Sequence, residues 1–167
     1  NPDLNQIIFS SRSLNEVFII DHSTTTEEAK GHIGGIYGKG GDFIYRWGNP
    51  INYNRGDLSD QKLHAPHGVN WINKDYPGGG NILVYDNAYD VSISAIIEFQ
   101  PPILTNGLYH LDEHESFEPN EYTWINYSED YFFNVTCGPA RCRVIWVGWK
   151  PPDHPAMVGW FFFGGIF

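Results

Sequence analysis

Two histidines stand three residues apart in Leu63-His64-Ala65-Pro66-His67-Gly68-Val69-Asn70-Trp71-Ile72, and no other stretch is as well equipped for chemistry. An imidazole is neutral near pH 7 and becomes a usable nucleophile when a neighbour fixes its tautomer. Asn70 supplies an amide able to orient either ring. From the residues alone two plain readings stand beside that one: an ordinary polar loop, or a weak metal pair short of a third ligand. No resident metal or cofactor is expected. His22, next to Asp21, is either half of a catalytic dyad or a ring that satisfies loop backbone. Arg46 lies between Tyr45 and Trp47 on a predicted strand, where strict alternation puts it on the opposite face with Ile44. It either pairs with Asp42 as a structural cation or holds an anion with its two-pronged guanidinium.

These side chains need a rigid frame, and the surrounding pattern is that of short strands and tight turns. Ile7–Ser10 and Val17–Ile20 read as a hairpin closed by residues 11–16. Phe43–Trp47, Val69–Ile72 and Ile82–Tyr85 are further apolar runs, separated by Gly, Pro, Asn and Asp. Pro77-Gly78-Gly79-Gly80 predicts that Val69–Ile72 and Asn81–Tyr85 pair as antiparallel neighbours. The histidines fall in the long loop ahead of Val69. Thr24 and Glu27 have capping-box spacing, which predicts one or two helical turns ended by Gly31. The glycines of residues 31–41 lack the spacing of a phosphate loop, and sharp turns account for them. Val91–Phe99 alternates as a strand. Residues 103–131 are acidic and read as a solvated excursion, followed within it by Tyr122–Tyr127 as the outer strand of a next unit.

The chain has 167 residues and a formal charge of −10, with only 10 Lys and Arg. That balance argues against nucleic acid and against anionic membrane surfaces. No apolar run reaches the length of a membrane span. Cys137 and Cys142, spaced C-x4-C, are either a local disulfide or two free thiols. Any site for an anion must be made locally basic from few cations.

The order Gly40-Gly41-Asp42-Phe43-Ile44-Tyr45-Arg46-Trp47-Gly48-Asn49-Pro50, then a histidine ahead of Trp71-Ile72, then Tyr76-Pro77-Gly78-Gly79-Gly80-Asn81-Ile82-Leu83-Val84-Tyr85-Asp86-Asn87, resembles the arylsulfotransferase (aryl-sulfate sulfotransferase) family. Residues 19–29 and the opening Asn1–Ile8 fit the same pattern, so the resemblance runs over roughly residues 1–103. It implies an all-β chain of antiparallel blades, part of a six-bladed propeller. Residues 1–136 would form two to three blades, and 137–167 an atypical tail, frame-shifted or truncated. The implied activity is sulfuryl transfer from an aryl sulfate to a phenol through a histidine, without a cofactor. The alternative is a non-catalytic or degenerate fragment that binds a ligand or partner.

His67 takes the family's histidine position, with Arg46 and Asn70 as its catalytic partners and His64, His22 and Asn87 as substrate-binding residues. The chain departs from the family at Pro66 and Ala88, and no Lys or Arg occurs from Ile82 to Ala140. The resemblance further implies a periplasmic or secreted protein whose small-molecule partners are phenols and aryl sulfates. A partial propeller leaves blade faces uncovered, which predicts self-association through them.

Overall fold

The computed structural model describes residues 1, 3–90 and 93–127, together with strand backbone at 135–138 and 141–144. Among the described residues all regular structure is β apart from three short 3-10 turns, and every strand pairing is antiparallel. The chain divides into two units, Asn1–Tyr127 and Ser128–Phe167.

The first sheet has the order β1-β2-β3, with β1 at Gln6–Ser11, β2 at Glu16–Asp21 and β3 at Phe43–Trp47. The expected hairpin is therefore present and gains a third strand. One face carries Val17, Ile19, Tyr45 and Trp47, all essentially solvent-free, because residues two apart share a face. The second sheet has the order β4-β5-β6-β7, with β4 at Pro66–Trp71, β5 at Ile82–Asp90, β6 at Ile93–Phe99 and β7 at Trp124–Tyr127. Its core face carries Ile82, Val84, Ala95, Ile97 and Phe99, each with no exposed surface. The two core faces share one cluster, in which the Trp47 and Phe99 rings stack at 3.8 Å between centroids. β1 runs beside β4.

The expected pairing across residues 73–80 is present, with Asn70 opposite Leu83 and Trp71 opposite Ile82. Three expectations change. β4 begins at Pro66, so His67 sits on a strand rather than in a loop. Trp124–Tyr127 is the fourth strand of this same sheet, not the start of another unit, because its residues extend the β6 edge with Ala95 opposite Tyr127. The helical stretch shrinks to a 3-10 turn at Glu28–Lys30, whose N-cap, Glu27, makes no side-chain cap bond, and the Thr-to-Glu contact forms one residue later than expected. Glu28 Oε2 accepts from the Thr25 N–H at 2.7 Å and from its hydroxyl at 2.9 Å. Gly31 ends the turn in extended conformation, so no left-handed glycine cap is formed.

The acidic stretch after Phe99 is solvated only on one side. Its carboxylates face water, while Tyr109, Phe117 and Tyr122 pack against the core. Buried polar bonds pin it to the first sheet. The Tyr109 hydroxyl donates to Gln6 Oε1 at 2.7 Å, and Gln6 Nε2 donates to the Gly107 carbonyl at 2.8 Å. Tyr45 and Trp47 donate to the carbonyls of Glu118 and Pro119. Such bonds matter because a buried donor without an acceptor loses its full hydration.

Among the described residues no helix is long and apolar enough to cross a membrane. In the second unit β8 (Val135–Gly138) and β9 (Arg141–Val144) form a hairpin whose backbone register sets Cys137 opposite Cys142. The disulfide question concerns side chains outside the described ones, and so do the expectations for residues 145–167.

Candidate functional site

His67 stands opposite Tyr85 on β5, and Asn70 stands opposite Leu83. Three steps along β4 therefore match two along β5, so the strand carries one extra residue between them. Gly68 adopts φ 56°, a left-handed conformation that suits glycine at such a bulge. The consequence for the site is direct. Strict alternation would send His67 and Asn70 to opposite faces, whereas the bulge brings both to the face of Tyr85 and Leu83. That face lies away from the shared core. Asn87 follows Asp86, where the β5–β6 register shifts and the successive amides of Asn87 and Ala88 both turn to the Ala65 and His64 carbonyls, so alternation from Tyr85 does not fix its face.

His67 is half-buried. Its imidazole is held below the ordinary histidine pKa, first by burial and then by the charge of Arg12. Both causes favour the neutral ring, the form that can act as a nucleophile. Arg12 sits in the turn between β1 and β2, which the packing of β1 along β4 carries to His67. The cation beside His67 is therefore Arg12, a residue the motif reading passed over. The available signal was small: Arg12 is the sole Lys or Arg before Lys30.

Arg46 is committed elsewhere. Its Nε and Nη2 donate to Glu16 Oε2 and Oε1 at 2.9 and 2.8 Å, and Glu16 has no exposed surface. The guanidinium also lies over the Tyr53 ring, 4.5 Å from its centroid. The expected partner, Asp42, instead accepts from His32 Nδ1 at 2.7 Å. Glu16 wins because it shares the face of Phe18, the residue directly opposite Arg46. The structural pairing expected of Arg46 is therefore present, with Glu16 in place of Asp42.

His22 is exposed, and its Nδ1 lies 2.9 Å from Asn5 Oδ1 at the open end of the β1–β2 hairpin. Arg12 is at the closed end, roughly 20 Å away at about 3.3 Å per residue. His22 therefore cannot join His67 in one site. Asp21 does not form a dyad with it, accepting instead from the Ser23 amide and hydroxyl and from the Tyr37 amide.

The His64 ring is exposed, but its backbone is tightly held. The His64 N–H donates to both carboxylate oxygens of Asp86 at 2.9 Å, and its carbonyl accepts from Ala88 N at 3.0 Å. Ala65 adopts φ 61°, its N–H donates to Asn15 Oδ1 at 2.8 Å, and its carbonyl accepts from Asn87 N at 3.3 Å. Gly48 permits this arrangement. At φ 123° its missing side chain leaves room for the Asn15 carbonyl, which a Cβ would meet at 2.5 Å. Asn70 Nδ2 donates to the Gly68 carbonyl at 3.3 Å, which ties it to the bulge rather than to either imidazole.

Tyr85 adds a feature that no motif announces. Its ring is almost fully buried, and its hydroxyl has no hydrogen-bond partner of ordinary geometry among the described residues. Burial raises this phenol above its usual pKa, with Ser94 opposing the rise. Ser94 spends its own proton on the Asn87 carbonyl at 3.2 Å. Among the described residues no group of three or more His, Cys, Asp or Glu is placed to hold a metal ion, so His64 and His67 lack a third ligand. His67, Asn70 and Tyr85 share one face, with the Arg12 charge acting on His67. No family model, curated protein or solved structure matches the chain.

Proposed function

We propose that His67 accepts a sulfuryl group from an aryl sulfate and passes it to a phenol, the activity implied by the resemblance of residues 1–103 to arylsulfotransferases. One observation carries this reading: His67 is half-buried on β4, and burial and then the charge of Arg12 lower its pKa, which favours the neutral ring. In the first step a ring nitrogen of His67 attacks sulfur, the bond from sulfur to the aryl oxygen breaks, and the phenolate leaves with the electron pair. In the second step the acceptor phenol oxygen attacks sulfur, the nitrogen–sulfur bond breaks, and the acceptor proton passes to water. Negative charge spreads over the sulfuryl oxygens in both transition states, where a fixed cation is most effective. Arg12 fills that role in place of Arg46. Asn70 offers an amide on the same face for the sulfuryl or aryl oxygens.

The two face-to-face sheets are read as successive blades of a propeller, and a periplasmic or secreted setting goes with that reading. One observation favours the non-catalytic alternative. Arg46 is consumed by Glu16, and the outer face of the first sheet exposes Ile7, Phe9 and Phe43, a surface suited to covering by another protein surface.

Release of 4-nitrophenol from 4-nitrophenyl sulfate, dependent on an added phenol, separates the two. Transfer is expected in the unmutated chain, to vanish in His67→Ala, and to fall about 100-fold in Arg12→Ala. His64→Ala should retain it. Because the His67 pKa is lowered, the rate should hold up on the acid side of the usual histidine range. Full transfer in His67→Ala, or none in the unmutated chain, rejects the enzyme reading.

A further inference from the structure

Asp86 is the buried carboxylate of this region, and its two oxygens both face the His64 amide. We propose that Asp86 is a positioning residue that locks the His64–Ala65 corner leading into β4, and that gain or loss of its proton changes how firmly His67 is held against Arg12. The inference rests on the sulfuryl-transfer reading only for what the corner serves; the clamp itself is argued from geometry.

Every backbone polar group of the corner is spoken for. His64 N–H goes to Asp86, His64 O to Ala88, Ala65 O to Asn87 and Ala65 N–H to Asn15. Three of these four bonds run to β5 at Asp86, Asn87 and Ala88. The fourth runs to the turn that bears Arg12, since Asn15 lies three residues beyond it. Ala65 is held in left-handed conformation, which an alanine does not choose unaided. The corner therefore joins the element carrying the imidazole to the element carrying the cation, and Asp86 is the one ionisable side chain that makes any of these four bonds.

The charges around Asp86 leave its proton affinity to burial. From the corner it meets His64, whose amide rather than ring makes the contact. On its own strand the neighbour is Tyr85, and from the acidic stretch comes Tyr122; both phenols are raised in part by Asp86. The nearby turn offers Arg12, which acts on His67. Across β6 the partner is Ala95. No cation pairs with Asp86 among the described residues, so burial lifts its carboxyl to about 7, against the amides of His64 and Ala88. When the carboxyl takes its proton, the charge-assisted bonds to His64 become ordinary neutral ones and the corner loosens.

Nuclear magnetic resonance tests this in the full chain with His64→Gln as background, which removes that ring's own titration. The Asp86 carboxyl carbon and the Ala65 and Ala88 amides should share one inflection near neutral pH. The His67 ring should show the same inflection besides its own lower one. In Asp86→Asn, which keeps the shape and one acceptor oxygen, the shared inflection should be lost from the amides and from His67. An Asp86 carbon titrating in the usual carboxylate range overturns the proposal, as do amides titrating identically with and without Asp86. The carbon is read without mutating Asp86, so the test survives a misfolded variant. It reads the clamp whether or not His67 takes a sulfuryl group, so the two ideas fail separately.

Discussion

Arg46→Ala is expected to destabilise the fold by about 3–5 kcal/mol, the usual result of leaving one member of a buried ion pair alone. Glu16 is fully buried and accepts from Arg46 through both oxygens, with a further bond from Asn52 Nδ2. Removing the guanidinium leaves a buried carboxylate with only the Asn52 amide to meet it. The loss of the Tyr53, Phe18 and Phe43 ring contacts adds to this, since each ring centroid lies within 6 Å of the guanidinium carbon. Replacing both partners at once, as Glu16→Leu with Arg46→Met, should recover most of the loss, because two apolar chains of similar volume carry no unpaired charge. Urea unfolding monitored by tryptophan fluorescence measures both. A loss under about 1 kcal/mol in Arg46→Ala would free Arg46 for the catalytic role that the resemblance implies. By contrast Arg12→Ala, in an exposed turn, should change stability by no more than about 0.5 kcal/mol.

The second large effect belongs to pH. The Asp86 carboxyl sits near 7 in the folded chain against its ordinary 3.8. It binds its proton more tightly folded than unfolded, so folding takes up a proton between about pH 4 and about pH 7. Stability from this group is therefore greatest at the acid end and is lost as pH rises through that window. At about 1.4 kcal/mol for each tenfold change in proton affinity, the loss is about 4 kcal/mol. Asp86→Asn should remove that slope and be the more stable chain above about pH 8, where the native residue is ionised in a dry site. Melting temperatures across the pH range decide it. Parallel curves for the two chains would show that Asp86 does not carry a raised pKa.

Much of the frame was legible, and the reason is periodicity. Alternation over Val17–Ile20, Phe43–Trp47, Ile82–Tyr85 and residues 93–99 follows from burying one face, which leaves a mark on every second residue. The Pro-Gly-Gly-Gly turn named the β4–β5 pairing for a local reason. What escaped was set by long-range geometry. A single inserted residue at Gly68 exchanges faces for everything before it, and no pattern of residue types announces that. Glu16 and Arg46 are 30 residues apart and meet only through the β2–β3 register. Arg12 looked like one more turn residue until the packing of β1 along β4 placed it. The acidic stretch was read by its charges, although its tyrosines and Phe117 determine where it lies.

The same distinction applies within the site. The sequence marked His67 as a candidate by its residue type and its place ahead of Trp71-Ile72. The groups that surround it were not legible, since Arg46 and His22 are held by Glu16 and Asn5 while Arg12 comes from the β1–β2 turn and Tyr85 from β5.

The most direct measurement is mass spectrometry of the intact chain after brief exposure to 4-nitrophenyl sulfate without acceptor, quenched in alkali and then mapped by peptide. Transfer through His67 predicts one added sulfuryl group, located on the imidazole of His67, absent from His67→Ala, and removed when a phenol is supplied. An unmodified chain, or a sulfuryl group on any other residue, would contradict it.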